Sequence, residues 1–102
     1  MIRATTYGKG LDNLDKALTE RESFKTGGAL RGEASPRLTH WDSGRLSGPD
    51  LERFQKDRQA IPYVVFSYST PIAWEANGEV YRISQKFSQT TSRHMSEIWK
   101  FV

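Results

Sequence analysis

The chain contains no cysteine, which excludes a disulfide framework, a thiolate nucleophile and every thiolate-ligated zinc or iron–sulfur site. A reducing cytoplasm is the natural expectation. Histidine is nearly as scarce: His40 and His94 are the only two, so a closed metal site of about four ligands would have to recruit carboxylates from unrelated segments. No apolar run approaches the roughly 18 residues that a membrane-spanning helix requires. The N-terminal stretch Met1-Ile2-Arg3-Ala4-Thr5-Thr6-Tyr7 has no apolar core for a secretory signal. Glycine-rich phosphate loops are missing as well, since Gly27-Gly28 and Gly32 match neither the P-loop nor the dinucleotide-binding spacing. No nucleophile-elbow motif supports a Ser-His-Asp triad. The nearest paired carboxylates, Glu75 and Glu79, flank what reads as an exposed turn, where solvation outweighs catalysis. These absences argue against an enzyme, a metal, a cofactor and a membrane span.

What remains fits one small domain spanning residues 1–102, within the usual size range of compact domains. Hydrophobic residues make up 36% and charged residues 26%, a lean balance. The aromatic share of 12% nevertheless exceeds what a disordered chain carries, so a folded core with substantial loops is expected. The net charge of +3 is unevenly placed. Residues 1–79 hold eleven cationic and eleven acidic side chains, whereas residues 80–102 carry Arg82, Lys86, Arg93 and Lys100 against Glu97 alone. Such asymmetry can steer a polyanion toward one surface, although an ordinary solvated face looks the same in sequence.

Leu14, Ala17, Leu18 and Phe24 recur near helical spacing, with Asp12 as a cap and Gly27-Gly28 as a stop, which predicts a first helix over residues 12–24. Residues 26–46 hold four glycines and little periodicity; they read as mostly loop, with a possible edge strand at Ala29-Leu30-Arg31 and Trp41 pinned over the core. Leu46-Ser47-Gly48-Pro49-Asp50-Leu51 writes a helix start, with Ser47 as cap and Leu46 and Leu51 spaced as a hydrophobic staple. That helix should run to about Gln59 as an outer cover. Tyr63–Ser69 is the strongest strand signal. After the interruption at Thr70-Pro71, the segment Ile72–Ala76 meets Asn77-Gly78, the pair that best tolerates positive φ in a tight hairpin. A two-residue turn there sets Ala76 against Glu79, Trp74 against Tyr81 and Ile72 against Ile83, with the last two pairs on an apolar face. Met95, Ile98, Trp99 and Val102 follow an i, i+3, i+4, i+7 pattern, which predicts a C-terminal helix on that face. The expected fold is α+β: a three-stranded antiparallel meander (about 62–86) packed against a C-terminal helix, with two N-terminal helices.

One constellation has a chemical rationale. Lys86-Phe87-Ser88-Gln89-Thr90-Thr91-Ser92-Arg93-His94 surrounds a helix start with hydroxyls, free amides and cations, and helix N-termini attract anions. Arg93 in a first helical turn costs stability unless an anion or partner compensates. With Arg82 from the preceding strand, the candidate partner- or anion-binding residues are Arg82, Lys86, Thr90, Thr91, Ser92, Arg93 and His94. The bland alternative is a threonine cap, an Arg93–Glu97 pair at i+4 and a His94 hydrogen bond to a nearby loop carbonyl.

The two segments Ser67-Tyr68-Ser69-Thr70-Pro71-Ile72-Ala73-Trp74 and Lys86–His94 resemble a family of short uncharacterised proteins encoded by actinobacterial phages, plasmids and other mobile elements. The motifs cover residues 63–95, with weaker similarity at Leu30-Arg31-Gly32 and Gly44-Arg45-Leu46. That family often has Gly where Ser69 stands and Tyr where Phe87 stands. The resemblance implies a phage-type origin and supplies no catalytic residue. Small accessory phage proteins are often non-enzymatic binders. The expectation is therefore a non-enzymatic module that binds a host protein in the host cytoplasm, with self-association possible. Nucleic-acid binding through the basic C-terminal quarter is the alternative, with Tyr68, Trp74 and Tyr81 available to stack bases if exposed.

Overall fold

A computed structural model describes all 102 residues, Met1–Val102. The chain builds β1 (Ile2–Arg3), α1 (Gly10–Glu20), β2 (Phe24–Lys25), β3 (Leu30–Ala34), α2 (Gly48–Asp57), β4 (Tyr63–Ser67), β5 (Thr70–Ala76), β6 (Glu79–Arg82) and α3 (Gln89–Glu97), with short 3-10 turns at His40–Ser43 and Arg58–Ala60. The strands form one six-stranded sheet in the order β1-β2-β3-β4-β5-β6. β1 and β2 are parallel across the α1 connection, and every other neighbouring pair is antiparallel.

This architecture overturns the expected three-stranded meander with two N-terminal helices: β4–β6 are only half of a mixed sheet, and strands precede and follow α1. The missed strands explain themselves. β1 and β2 are two residues long, and β3 reads Leu-Arg-Gly-Glu-Ala, too short or too charged to display alternation. β3 lies between β2 and β4 instead of at an edge. Gly32 makes that position possible, because a Cβ there would fall 2.6 Å from the Tyr63 hydroxyl and closer still to the Phe24 ring. The first helix ends at Glu20, before the expected Phe24, since Arg21 adopts a left-handed conformation (φ 57°) and frees Phe24 for the sheet. Asp12 falls in its first turn and is not its cap.

The hairpin register follows the turn chemistry: Asn77 and Gly78 both have positive φ, Ala76 pairs with Glu79, and Trp74 pairs with Tyr81. The Ile83 amide extends this ladder by donating to Ile72. The helix on that face, however, is α2. Phe54 packs edge-on against Trp74 with ring centroids 5.4 Å apart, and the Trp74 indole donates to Asp57 at 2.9 Å. The C-terminal helix lies on the opposite face, where Phe101 meets Tyr63 and Arg82 donates to the carbonyls of Met95, Ile98 and Phe101. α1 shares that face. The residues that follow it reach the sheet through Arg21, which pairs with Glu75 at 3.1 Å, and through the Glu22 carbonyl, which accepts from Tyr63. Twenty buried hydrophobic residues join the two sides in one cluster. Trp41 is not part of it: at 81% exposure the residue expected to pin the loop stands in solvent.

Buried acids anchor α2 to the meander. Asp50 accepts from the Tyr81 hydroxyl at 2.6 Å and from the amides of Ser84 and Gln85. Burial alone would raise its pKa, but these donors together hold the carboxyl below the usual carboxylate range. Burial and the Asp50 bond push the Tyr81 hydroxyl up to about 12. Asp50→Ala strands several buried donors and should cost about 3 kcal/mol in a urea titration at pH 7. Because Asp50's pKa is depressed in the fold, its contribution is present above the unfolded carboxyl pKa of about 4 and is lost as the pH falls through the folded value. Wild type and Asp50→Ala should thus converge in stability at low pH. A gap that stays constant below that range contradicts the ionised-acceptor account. Gly32→Ala should destabilise at every pH, because Tyr63 and Phe24 must shift to admit a methyl group.

Candidate functional site

The two sequence motifs meet in space. Ser67 ends β4, Tyr68 and Ser69 form a two-residue turn, and Thr70-Pro71 opens β5 instead of separating the strands. Proline lacks a ladder donor, and the β4–β5 register shifts beside Pro71 between Val65 and Phe66. Arg45 and Gly44 close over this turn, with the Arg45 amide donating to Thr70 Oγ1 at 3.0 Å. Tyr68 has φ 58°, an uncommon conformation for a bulky residue, which leaves its side chain largely exposed while its carbonyl accepts from Arg31.

α3 delivers the other half. Ser88 is its N-cap, accepting from the Thr91 amide at 3.2 Å. The buried residues of this segment are Thr91, His94, Ile98 and Phe101, offset from the expected stripe of Met95, Ile98, Trp99 and Val102. The α-helix stops after Glu97, so Trp99 and Val102 leave the helical period and lie exposed. Thr91 and His94 are polar, and a hydrophobic pattern cannot find them. They are buried because Ser67 satisfies them: Ser67 Oγ lies 2.7 Å from His94 Nδ1 and 3.4 Å from Thr91 Oγ1.

The Ser88 hydroxyl donates to Thr91 Oγ1, and the network continues through Ser67 Oγ to His94 Nδ1. The other ring nitrogen, Nε2, has no partner within the chain and is not sealed from solvent. His94 lines a cleft of about 500 Å³ between the Thr5–Tyr7 segment, the Thr26–Ala29 turn, Tyr68 and the first turn of α3. Burial lowers the His94 pKa; Glu97 opposes that shift and Arg93 adds to it, so the neutral imidazole prevails at pH 7. Arg93 extends beside it with 69% of its side chain exposed, 3.8 Å from Glu97.

Of the seven residues singled out in sequence, Thr90, Arg93 and His94 line this cleft. Lys86, Thr91 and Ser92 border a second cavity of about 330 Å³ beside the start of α3. Arg82 joins neither group, because its guanidinium is spent on the carbonyls that end the chain. Burial lowers its pKa there. Trp74 is buried and Tyr81 is tied to Asp50, which leaves Tyr68 as the exposed member of the three aromatics considered for base stacking. Sequence reasoning missed Ser67 as the partner of His94, and it missed Thr5–Tyr7 altogether. Ser67 stood in a motif without a role, and the N-terminal segment has no local signal. No cluster of three or more His, Cys, Asp or Glu residues could hold a metal ion, and no helix is long and apolar enough to cross a membrane.

His94 supplies a pH test. With its folded pKa depressed, stability is greatest above the unfolded value of about 6.5 and falls as the pH drops toward the folded value. Denaturant midpoints should decline between neutral and mildly acidic pH, and His94→Gln should shrink that decline. Ser67→Ala should cost about 1 kcal/mol at neutral pH by leaving the buried Nδ1 without its partner. An unchanged pH profile in His94→Gln would count against the neutral, buried assignment.

No curated protein and no solved structure matches the chain. A protein-family model matches residues 12–101, a span that contains both motifs, α3, the meander and all but the first two residues of α1, but leaves out the Thr5–Tyr7 wall of the cleft. The chain belongs to the family of unknown function DUF8033.

Proposed function

We propose that the protein is a non-enzymatic, phage-type accessory module that binds a host protein in the host cytoplasm. One observation carries the reading: Trp41 and Trp99 are 81% and 60% exposed, outside a core that has already buried Trp74 and most of the phenylalanines. Tryptophan is the residue type most enriched at energetic hot spots of protein interfaces, and exposing two of them in a chain this small has no folding benefit. Neither forms part of the Asp50, Asp57 or Ser67–His94 networks. The expected result is that tagged protein retains one host protein through nuclease treatment. Trp41→Ala or Trp99→Ala should weaken that complex by about thirtyfold while leaving the unfolding midpoint in place. Equal retention of the host protein by both variants overturns the reading.

A second reading, binding of nucleic acid, is favoured by Tyr68 and Arg93 lining the same cleft. It expects affinity that falls steeply with salt, and a smaller salt slope for Arg93→Ala. The low net charge of +3 weighs against it as the main role.

A further inference from the structure

The cleft beside α3 has an unusual lining for its size. It contains four threonines, the Gly27-Gly28 backbone, two tyrosines, Arg93 and His94, and no carboxylate. Three features give this lining a chemical preference. His94 is 5% exposed, and with Nδ1 held by Ser67 its Nε2 is left without a partner in the chain on the cleft side. The Thr5 and Thr26 hydroxyls and the Gly28 amide already donate within the chain, so the groups left to a ligand are the Arg93 guanidinium, the Thr90 hydroxyl and the His94 ring, a set that suits an acceptor-rich anion. The Arg93–Glu97 distance of 3.8 Å exceeds hydrogen-bond reach and 69% of the Arg93 side chain is exposed, which leaves the guanidinium fork free for a bidentate acceptor.

The rim adds the third feature. Tyr7 and Tyr68 are 76% and 59% exposed and line the same cleft from the N-terminal segment and the β4–β5 turn. Aromatic faces beside an anion-selective floor match a ligand that carries a flat ring and a phosphate together. The volume of about 500 Å³ lies within the range of small-ligand sites. We infer that this cleft binds a nucleoside phosphate, with the phosphate on Arg93, Thr90 and His94 Nε2 and the base against Tyr68 or Tyr7. Such a unit is available as a free nucleotide or within a single strand. The inference does not depend on the protein-partner reading, whose tryptophans line no part of the cleft.

The test is an NMR and calorimetric titration of the full chain with adenosine 5′-monophosphate, adenosine, inorganic phosphate and a short oligodeoxyadenylate. Adenosine monophosphate should shift the His94 ring resonances and bind about tenfold more tightly than adenosine or phosphate alone. Arg93→Ala, at an exposed position that folding does not require, should lose about tenfold in affinity, the loss expected for one charge-assisted contact. Tyr68→Asn separates binding from structure: asparagine tolerates the left-handed conformation better than tyrosine, so stability should hold or rise while nucleotide affinity falls severalfold. An oligonucleotide that binds more tightly, with steep salt dependence and the same His94 shift, identifies the strand as the source; equal affinity identifies the free nucleotide. His94 resonances that stay still at millimolar nucleotide overturn the inference. So does equal binding by wild type and Arg93→Ala, or oligonucleotide binding that leaves His94 unmoved. None of these outcomes bears on host-protein capture, which the tryptophan variants test separately.

Discussion

Strand β5 is buried on both faces, and most of the molecule follows from that requirement. Trp74 and Ile72 point one way while Ala73 and Glu75 point the other, and each side must be covered to remove it from water. α2 covers the first side through Phe54. α1 and the C-terminal segment cover the second through Arg21 and Phe101. A meander with one solvated face would have left Ala73 and Val65 unprotected. Extending the sheet through β3 to β1 gives α1 a surface on which to bury Leu14, Ala17 and Leu18.

Polar groups then select one packing among the many that hydrophobicity would permit. Asp57 takes the Trp74 indole and Arg53, Asp50 takes Tyr81 and two loop amides, and Arg82 gives its protons to the carbonyls of Met95 in the last turn of α3 and of Ile98 and Phe101 after it. Each is costly to bury alone and inexpensive once satisfied, so each rejects sliding or rotation of its helix. The Ser67–His94 bond belongs to this set. It fixes the rotation of α3 about its axis and thereby decides which residues of that helix face the cleft.

That rotation links structure to chemistry. A helix packed on Met95 and Trp99 would have turned His94 outward and placed Trp99 in the core. The observed helix buries His94 with one nitrogen committed and the other free, and it leaves Arg93 extended beside it. Trp99 lies beyond the end of α3 and stands at the surface for a separate reason, the stop of the helix after Glu97.

Much of the local structure was legible in the chain. Asn77-Gly78 dictated the hairpin register because both positions require positive φ. Gly48-Pro49 after Ser47 marked the start of α2, and the alignment of Arg93 with Glu97 followed from helical spacing alone. Strands β1 and β2, the place of β3 inside the sheet where an edge strand was expected, the face that each helix covers, the exposure of Trp41 and the convergence of Thr5–Tyr7 with α3 were not legible. They depend on pairings between residues far apart in sequence, for which two- to five-residue segments carry no period. The sequence by itself determined the Asn77-Gly78 turn, the start of α2 and the chemical inventory, since these rest on backbone sterics and on side chains within a few positions. Only the tertiary structure decided the six-stranded sheet and the buried orientation of His94, because a polar residue goes inside only when a distant partner, here Ser67, meets it there.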